Sequence, residues 1–283
     1  MSSGRSRAPW WVLAVTASLI AALSGALSGA LSAEASPAFP PQPVGRIGPG
    51  VQLVTHGVRC TAGFVFRDRS GHTYLGYAAR CASPGGLRAV NGCRHRSWPL
   101  GTLVRVASNV VGTRHGRTLA RGVLRYSSWL AMRRAGVRGH RVCRNNDFAL
   151  VQLAGSVTRI ARTLRYWDGP DVVGTLPGAG QQLLGCTAQV VSGVRTLEPG
   201  GLRVRQAWHW GVAVRPAPGL RSDVGAGFVD TRGHAVGILL ADHQGRRTRV
   251  ASLPGALQFA RHHGLPGLRL VPGSAPFHNT AVV

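Results

Sequence analysis

The chain has 283 residues, enough to bury one large core or two smaller ones, and carries a formal net charge of +25. All 34 basic residues are Arg, set against 9 acidic ones, a balance that attracts polyanions such as nucleic acid, wall polymers or acidic lipid heads. Apart from one N-terminal run, no segment is long enough to cross a bilayer, which excludes a multi-span membrane protein.

In chain order, Arg5 and Arg7 precede the apolar run Trp10–Leu23, and Ala33–Ala35 (AEA) then supplies a small-x-small cleavage pattern. Residues 1–35 therefore read as a signal peptide for export. The small-residue run between them lengthens the apolar segment, so an uncleaved membrane anchor is the alternative. Residues 36–50 are rich in Pro and Gly and are expected to form an extended leader.

The body, residues 51–263, alternates short β-rich runs with Gly, Pro and Asn punctuation. The runs are VQLVTH, TAGFVFRD, TYLGYAA, TLVRVASNVV, RGVLRYS, DFALVQL, QLLGCTAQVVSG, LRVRQAWHW and HAVGILLAD. Many strands of this length at this spacing predict an all-β protein, a sandwich or barrels. One helix is expected over Ser252–Gly264: Ser252 caps it, Leu253, Leu257 and Ala260 share a face, and Gly264 stops it. Residues 264–283 read as a loosely ordered tail.

Five cysteines (Cys60, Cys81, Cys93, Cys143, Cys186) in an exported chain favour two disulfides with one thiol left over. None has the paired spacing of a zinc site, and spacing does not choose the partners. His56, His72, His209, His262 and His263 are scattered without metal-ligand context, and neither a metal nor a cofactor is expected. AWHWG (207–211) reads as alternating strand packing. From Arg69 to Asn146 there are fifteen Arg and no carboxylate, including the stretches GTRHGRTLARGVLR and RRAGVRGHRVCR. A solvated basic surface set by composition accounts for this as well as a polyanion-binding face does, and Arg114, Arg117 and Arg121 are the candidate contacts for the latter.

Three stretches taken in order resemble the chymotrypsin-like (trypsin-fold) serine peptidases in their exported bacterial form. CTAGFVFRDRSGHTYLGYAARC (60–81) is similar to the block that ends in Ala-Ala-His-Cys. CRNNDFALVQL (143–153) is similar to the block that carries the triad aspartate. GLRSDVGAGFVD (219–230) followed by GHAVGIL is similar to the nucleophile loop and the strands after it. The likeness spans roughly Gly50 to His263 and implies two six-stranded antiparallel β-barrels, with their boundary near 160–170, and a short C-terminal helix. It also implies the bridges Cys60–Cys81 and Cys93–Cys143, leaving Cys186 free.

Residue by residue, the same resemblance shows a loss. The catalytic His falls on Arg80, the Asp is kept as Asp147, the nucleophilic Ser falls on Val224, and an oxyanion-hole Gly falls on Ser222. The mechanism needs a hydroxyl that attacks, a base that takes and returns its proton, and aimed backbone donors. Val224 has nothing to attack with, and the guanidinium of Arg80 stays protonated throughout the accessible pH range. Arg80 is expected within salt-bridge reach of Asp147. The chain is thus expected to be an exported serine peptidase homologue with a degenerate triad that acts by binding. A residual or unconventional endopeptidase, with Ser222 as substitute nucleophile, is the first alternative, and a polyanion-binding envelope protein is the second. Anionic envelope polymers or an acidic protein are the expected partners. Export and sparse aromatic interleaving argue against nucleic acid.

Overall fold

Strand pairing, more than strand count, defines the architecture. A computed structural model of the chain describes residues 46–108, 116–163, 169–185, 190–191, 194–195, 202–215, 223–240 and 248–277. The signal segment 1–35 and all but the end of the leader lie outside the described residues.

The first half contributes β1 (Gln52–Thr55), β2 (Val58–Thr61), β3 (Val65–Arg67), β4 (Thr73–Tyr77), β5 (Leu103–Ala107), β6 (Thr118–Ser127) and β7 (Ala149–Leu153). Their order in space is β3-β4-β7-β6-β5-β1-β2. β2 and β3 are two halves of one run, interrupted only at residues 62–64, yet they stand at opposite ends of this order, with the short C-terminal strand Arg269–Leu270 added outside β3. One bent strand therefore joins both ends and closes these strands into an antiparallel barrel of six. Across the bend Gly63 N–H donates to Gly76 C=O (2.8 Å) and Gly76 N–H to Phe64 C=O (2.9 Å), so the pairing continues through it. Inside, Leu53, Phe64, Phe66, Leu75, Leu124 and Phe148 are fully buried, with Phe66 edge-on to Phe148 at 5.5 Å.

The second half contributes β8 (Gln182–Gly185), a small ladder of β9 (Val190–Val191) and β10 (Val194–Arg195), β11 (Leu202–Trp208), β12 (Gly211–Arg215), β13 (Gly227–Val229), β14 (Ala235–Leu240) and β15 (Thr248–Ser252). β11-β12-β15-β14-β13-β8 form a second closed barrel of six strands. The fold is the expected all-β double barrel. AWHWG differs from its expected strand: β11 ends at Trp208, and His209 and Trp210 make the turn into β12. Trp210 instead packs edge-on to Phe259 at 6.2 Å.

Among the described residues three α-helices accompany the barrels: α1 (Ser128–Arg134), α2 (His140–Asn145) and α3 (Leu253–His262). α3 is the expected C-terminal helix, and the Ser252 hydroxyl caps it by accepting from Gly255 N–H at 3.1 Å. No helix among the described residues is long and apolar enough to cross a membrane.

Both ends of the body are tied down more firmly than composition suggests. In the leader, Ile47 is buried and bridges to Ile160, so the ordered body begins before residue 51. The tail was expected to be loose, but β16 (Arg269–Leu270) adds to β3. Leu265, Leu268, Leu270 and Val271 bury, and Gly273 N–H donates to Pro170 C=O at 2.8 Å. These apolar residues hold the segment despite its Pro and Gly content.

The same turn chemistry recurs in each barrel. In Asp68–His72 and Asp230–His234 the aspartate accepts the His backbone N–H at 3.0 Å and contacts the imidazole Nδ1, at 2.9 and 3.3 Å respectively. Asp68 also accepts from the Tyr74 hydroxyl at 2.7 Å. Burial pushes the Asp68 carboxyl up, but the hydrogen bonds from Tyr74 and His72 outweigh it and hold the group below its ordinary value of 3.8. A folded value below the unfolded one adds stability above that pH and loses it as acid protonates the carboxylate. We expect the melting temperature of Asp68→Asn to fall less steeply than that of the parent as pH drops below about 4. Matched thermal melts from pH 6 downward check this, and parallel curves would refute it.

Candidate functional site

Arg80 sits in a one-turn 3-10 helix, Ala79–Ala82, that follows β4. The bridge Cys60–Cys81 ties this turn to β2, and Cys93–Cys143 is the second disulfide. Both pairings are those the resemblance implies. Cys186 lies outside the described residues.

Asp147 stands in the short connection between α2 and β7, and Ser128 braces that connection on both sides. The Ser128 hydroxyl donates to Asn146 C=O at 2.8 Å and accepts Phe148 N–H at 3.0 Å, while Ser128 N–H donates to Phe148 C=O at 2.8 Å. Ser128 was not singled out in the sequence, where it reads as an ordinary serine at the start of a short helix. Held this way, Asp147 accepts Arg80 Nε–H at 2.5 Å through one carboxylate oxygen and Arg80 backbone N–H at 2.8 Å through the other. The side chains are 0% and 2% exposed, so this is a fully desolvated cation–carboxylate pair. Guanidinium suits such a site because it is less strongly hydrated than ammonium and never loses its proton.

Val224 occupies the turn that leads into β13 and is 1% exposed. Its carbonyl accepts Thr61 N–H at 2.9 Å, which clips the turn to the end of β2 in the first barrel. Gly225 N–H donates to Leu239 C=O and Leu239 N–H to Ala226 C=O, each at 2.9 Å, pinning the same turn to β14. The turn that holds Val224 thus lies at the contact between the barrels, beside the chain that leads to Arg80. The neighbouring Asp223 is also buried. Ser222, the proposed oxyanion position and substitute nucleophile, lies outside the described residues.

Chemically, the described part of the site offers a fixed ion pair and a methyl-bearing side chain. Neither Arg80 nor Val224 supplies a proton acceptor or a nucleophile. No group of three or more His, Cys, Asp or Glu among the described residues could hold a metal ion.

The basic residues are distributed differently. Arg117 and Arg121 are exposed and line a groove of about 530 Å³ together with Arg159, Ser156 and Thr158. Arg114 lies outside the described residues. Arg159 comes from beyond β7, and the parallel contact of Ile47 with Ile160 holds that segment beside the groove.

No protein-family model and no curated protein matches the sequence. Among solved structures the chain is similar to a protease of Thermobifida fusca, with 18% identity and a TM-score of 0.45 over 80% of this chain and 99% of that one. It is similar to a Nocardiopsis protease, with 16% identity and a TM-score of 0.43 over 79% and 98%. It is also similar to a glutamic acid specific serine protease, with 14% identity and a TM-score of 0.47 over 80% and 100%. The double barrel itself is assigned from the strand pairing.

Proposed function

We propose that this chain, a double barrel of the chymotrypsin-like serine peptidase fold, is an exported homologue that works by binding and not by hydrolysis. The observation that carries the proposal is the Arg80–Asp147 pair, buried and doubly hydrogen-bonded where a titratable His–Asp pair would serve an active enzyme. An imidazole alternates between accepting and donating a proton during acyl transfer, and a guanidinium held by a carboxylate cannot. Val224, buried at the nucleophile position, supports the same reading. Two disulfides support folding in an oxidising compartment, and with it the signal peptide, leader and peptidase-like body read from the sequence.

The test is an active-site fluorophosphonate probe, run beside hydrolysis assays with peptide and ester substrates. We expect neither labelling nor turnover above the heat-denatured control. Labelling abolished by Ser222→Ala would overturn the proposal and establish a substitute nucleophile.

A further inference from the structure

The stretch RRAGVRGHRVCR, conspicuous in the sequence for its charge, builds a cavity well apart in sequence from the Val224 turn. The Cys93–Cys143 bridge and the hydrogen bond from Gly92 N–H to Cys143 C=O (2.7 Å) lock the 91–94 turn to α2. Between that turn and the connection from α1 to α2 lies a cavity of about 640 Å³. Its rim carries the exposed side chains of Arg94, Arg133, Arg138 and His140. Its inner wall presents half-buried Val137 and the disulfide, backed by fully buried Met132, with Asn91 beside them.

No carboxylate lines this cavity, and among the described residues none of Arg94, Arg133 and Arg138 takes part in an ion pair. Arg133 also lines a second cavity of about 490 Å³ with Arg96, Arg134 and Leu130, so cationic rim and apolar wall continue along α1. A basic surface set by composition alone would not need an apolar floor within a disulfide-locked frame.

We infer that this disulfide-framed cavity is the binding site for an acidic peptide segment of a partner protein, one that inserts an apolar side chain between its carboxylates. Arg forks match carboxylates in bidentate geometry, and half-buried Val137 with the Cys93–Cys143 bridge supplies the surface against which the apolar side chain loses its water. A locked frame lowers the ordering cost of binding. Nucleic acid fits less well: its phosphates gain nothing from an apolar wall, and the nearby Trp129 is 1% exposed and so unable to stack on a base. The inference rests on the reading that the protein works by binding, and it names the surface and the chemistry of the partner.

Fluorescence anisotropy at physiological salt tests it, with three labelled probes of equal length: a peptide alternating Asp and Leu, a peptide alternating Asp and Ser, and oligo-dT. The Asp/Leu peptide is expected to bind about tenfold more tightly than either of the others. Arg133→Ser and Arg138→Ser should each weaken it about tenfold, and Val137→Ser should abolish the preference for Leu over Ser. Arg121→Ser, in the separate groove, should change affinity less than about twofold. Near-UV circular dichroism confirms that each variant is folded. Equal binding of all three probes, tighter binding of oligo-dT, or equal losses from Arg121→Ser and Arg133→Ser would overturn the assignment. None of these results bears on the fluorophosphonate test, so a failure here would leave the non-hydrolytic reading standing.

Discussion

Asp147→Ala is expected to destabilise the fold by about 3–5 kcal/mol, the usual cost of stranding one member of a buried ion pair. For a body of this size that lowers the melting temperature by on the order of 10 °C. The substitution removes the acceptor of two hydrogen bonds, from Arg80 Nε–H and Arg80 backbone N–H, and leaves a guanidinium at 0% exposure. That cation has no means of becoming neutral. Arg80→Ala should cost less, because the stranded carboxylate keeps the hydrogen bond from the backbone N–H of residue 80. Replacing both together, Arg80→Met with Asp147→Leu, should recover most of the stability, since well-packed apolar residues commonly match a buried pair. Thermal and urea unfolding measure all three. Single variants within about 1 kcal/mol of the parent would show that the pair is not a structural pin.

That pin explains why part of the site was legible from the residues and part was not. Arg80 and Asp147 stand in blocks separated by 67 positions, and their meeting follows only once the barrel order sets β4 beside β7. The blocks themselves were legible because each couples a strand to punctuation at a fixed offset. Ser128 left no such trace, because its role comes from tertiary position and not from its neighbours in sequence. The same holds for α1 and α2, whose 7 and 6 residues are too few to register a helical period. β12 and β15 escaped because one follows a Trp-bearing turn and the other begins in the Arg-rich stretch RRTR, where charge obscured alternation. Pro and Gly dominate the composition of the tail, whereas four buried apolar residues decide its fate. The cavity framed by Cys93 and Cys143 was visible only as excess charge, since its apolar wall depends on where α1 turns its inner face.

Gly225→Ala is expected to cost more than a glycine-to-alanine change at an open turn such as Gly57, because two separate penalties coincide there. Its φ of +97° lies in the left-handed region, where a side chain adds about 1–3 kcal/mol of strain. A methyl group at this position would also stand 2.4 Å from Thr61 C=O and 3.1 Å from Ala78 N, both backbone atoms that no rotamer change can move. Relief requires separating the Val224 turn from β2, which breaks the hydrogen bond from Thr61 N–H to Val224 C=O. Overpacking of that kind adds about 1–3 kcal/mol more. Gly57 is the internal control: its φ is +83°, yet a methyl group there meets nothing within 4 Å, so Gly57→Ala carries the strain alone. Comparing the two variants by denaturant unfolding isolates the contact between the barrels from the backbone term. Equal losses would mean that the Val224 turn can lift away from the first barrel at little cost. A markedly larger loss at Gly225 would mean that the Val224 turn serves as the clasp between the two barrels.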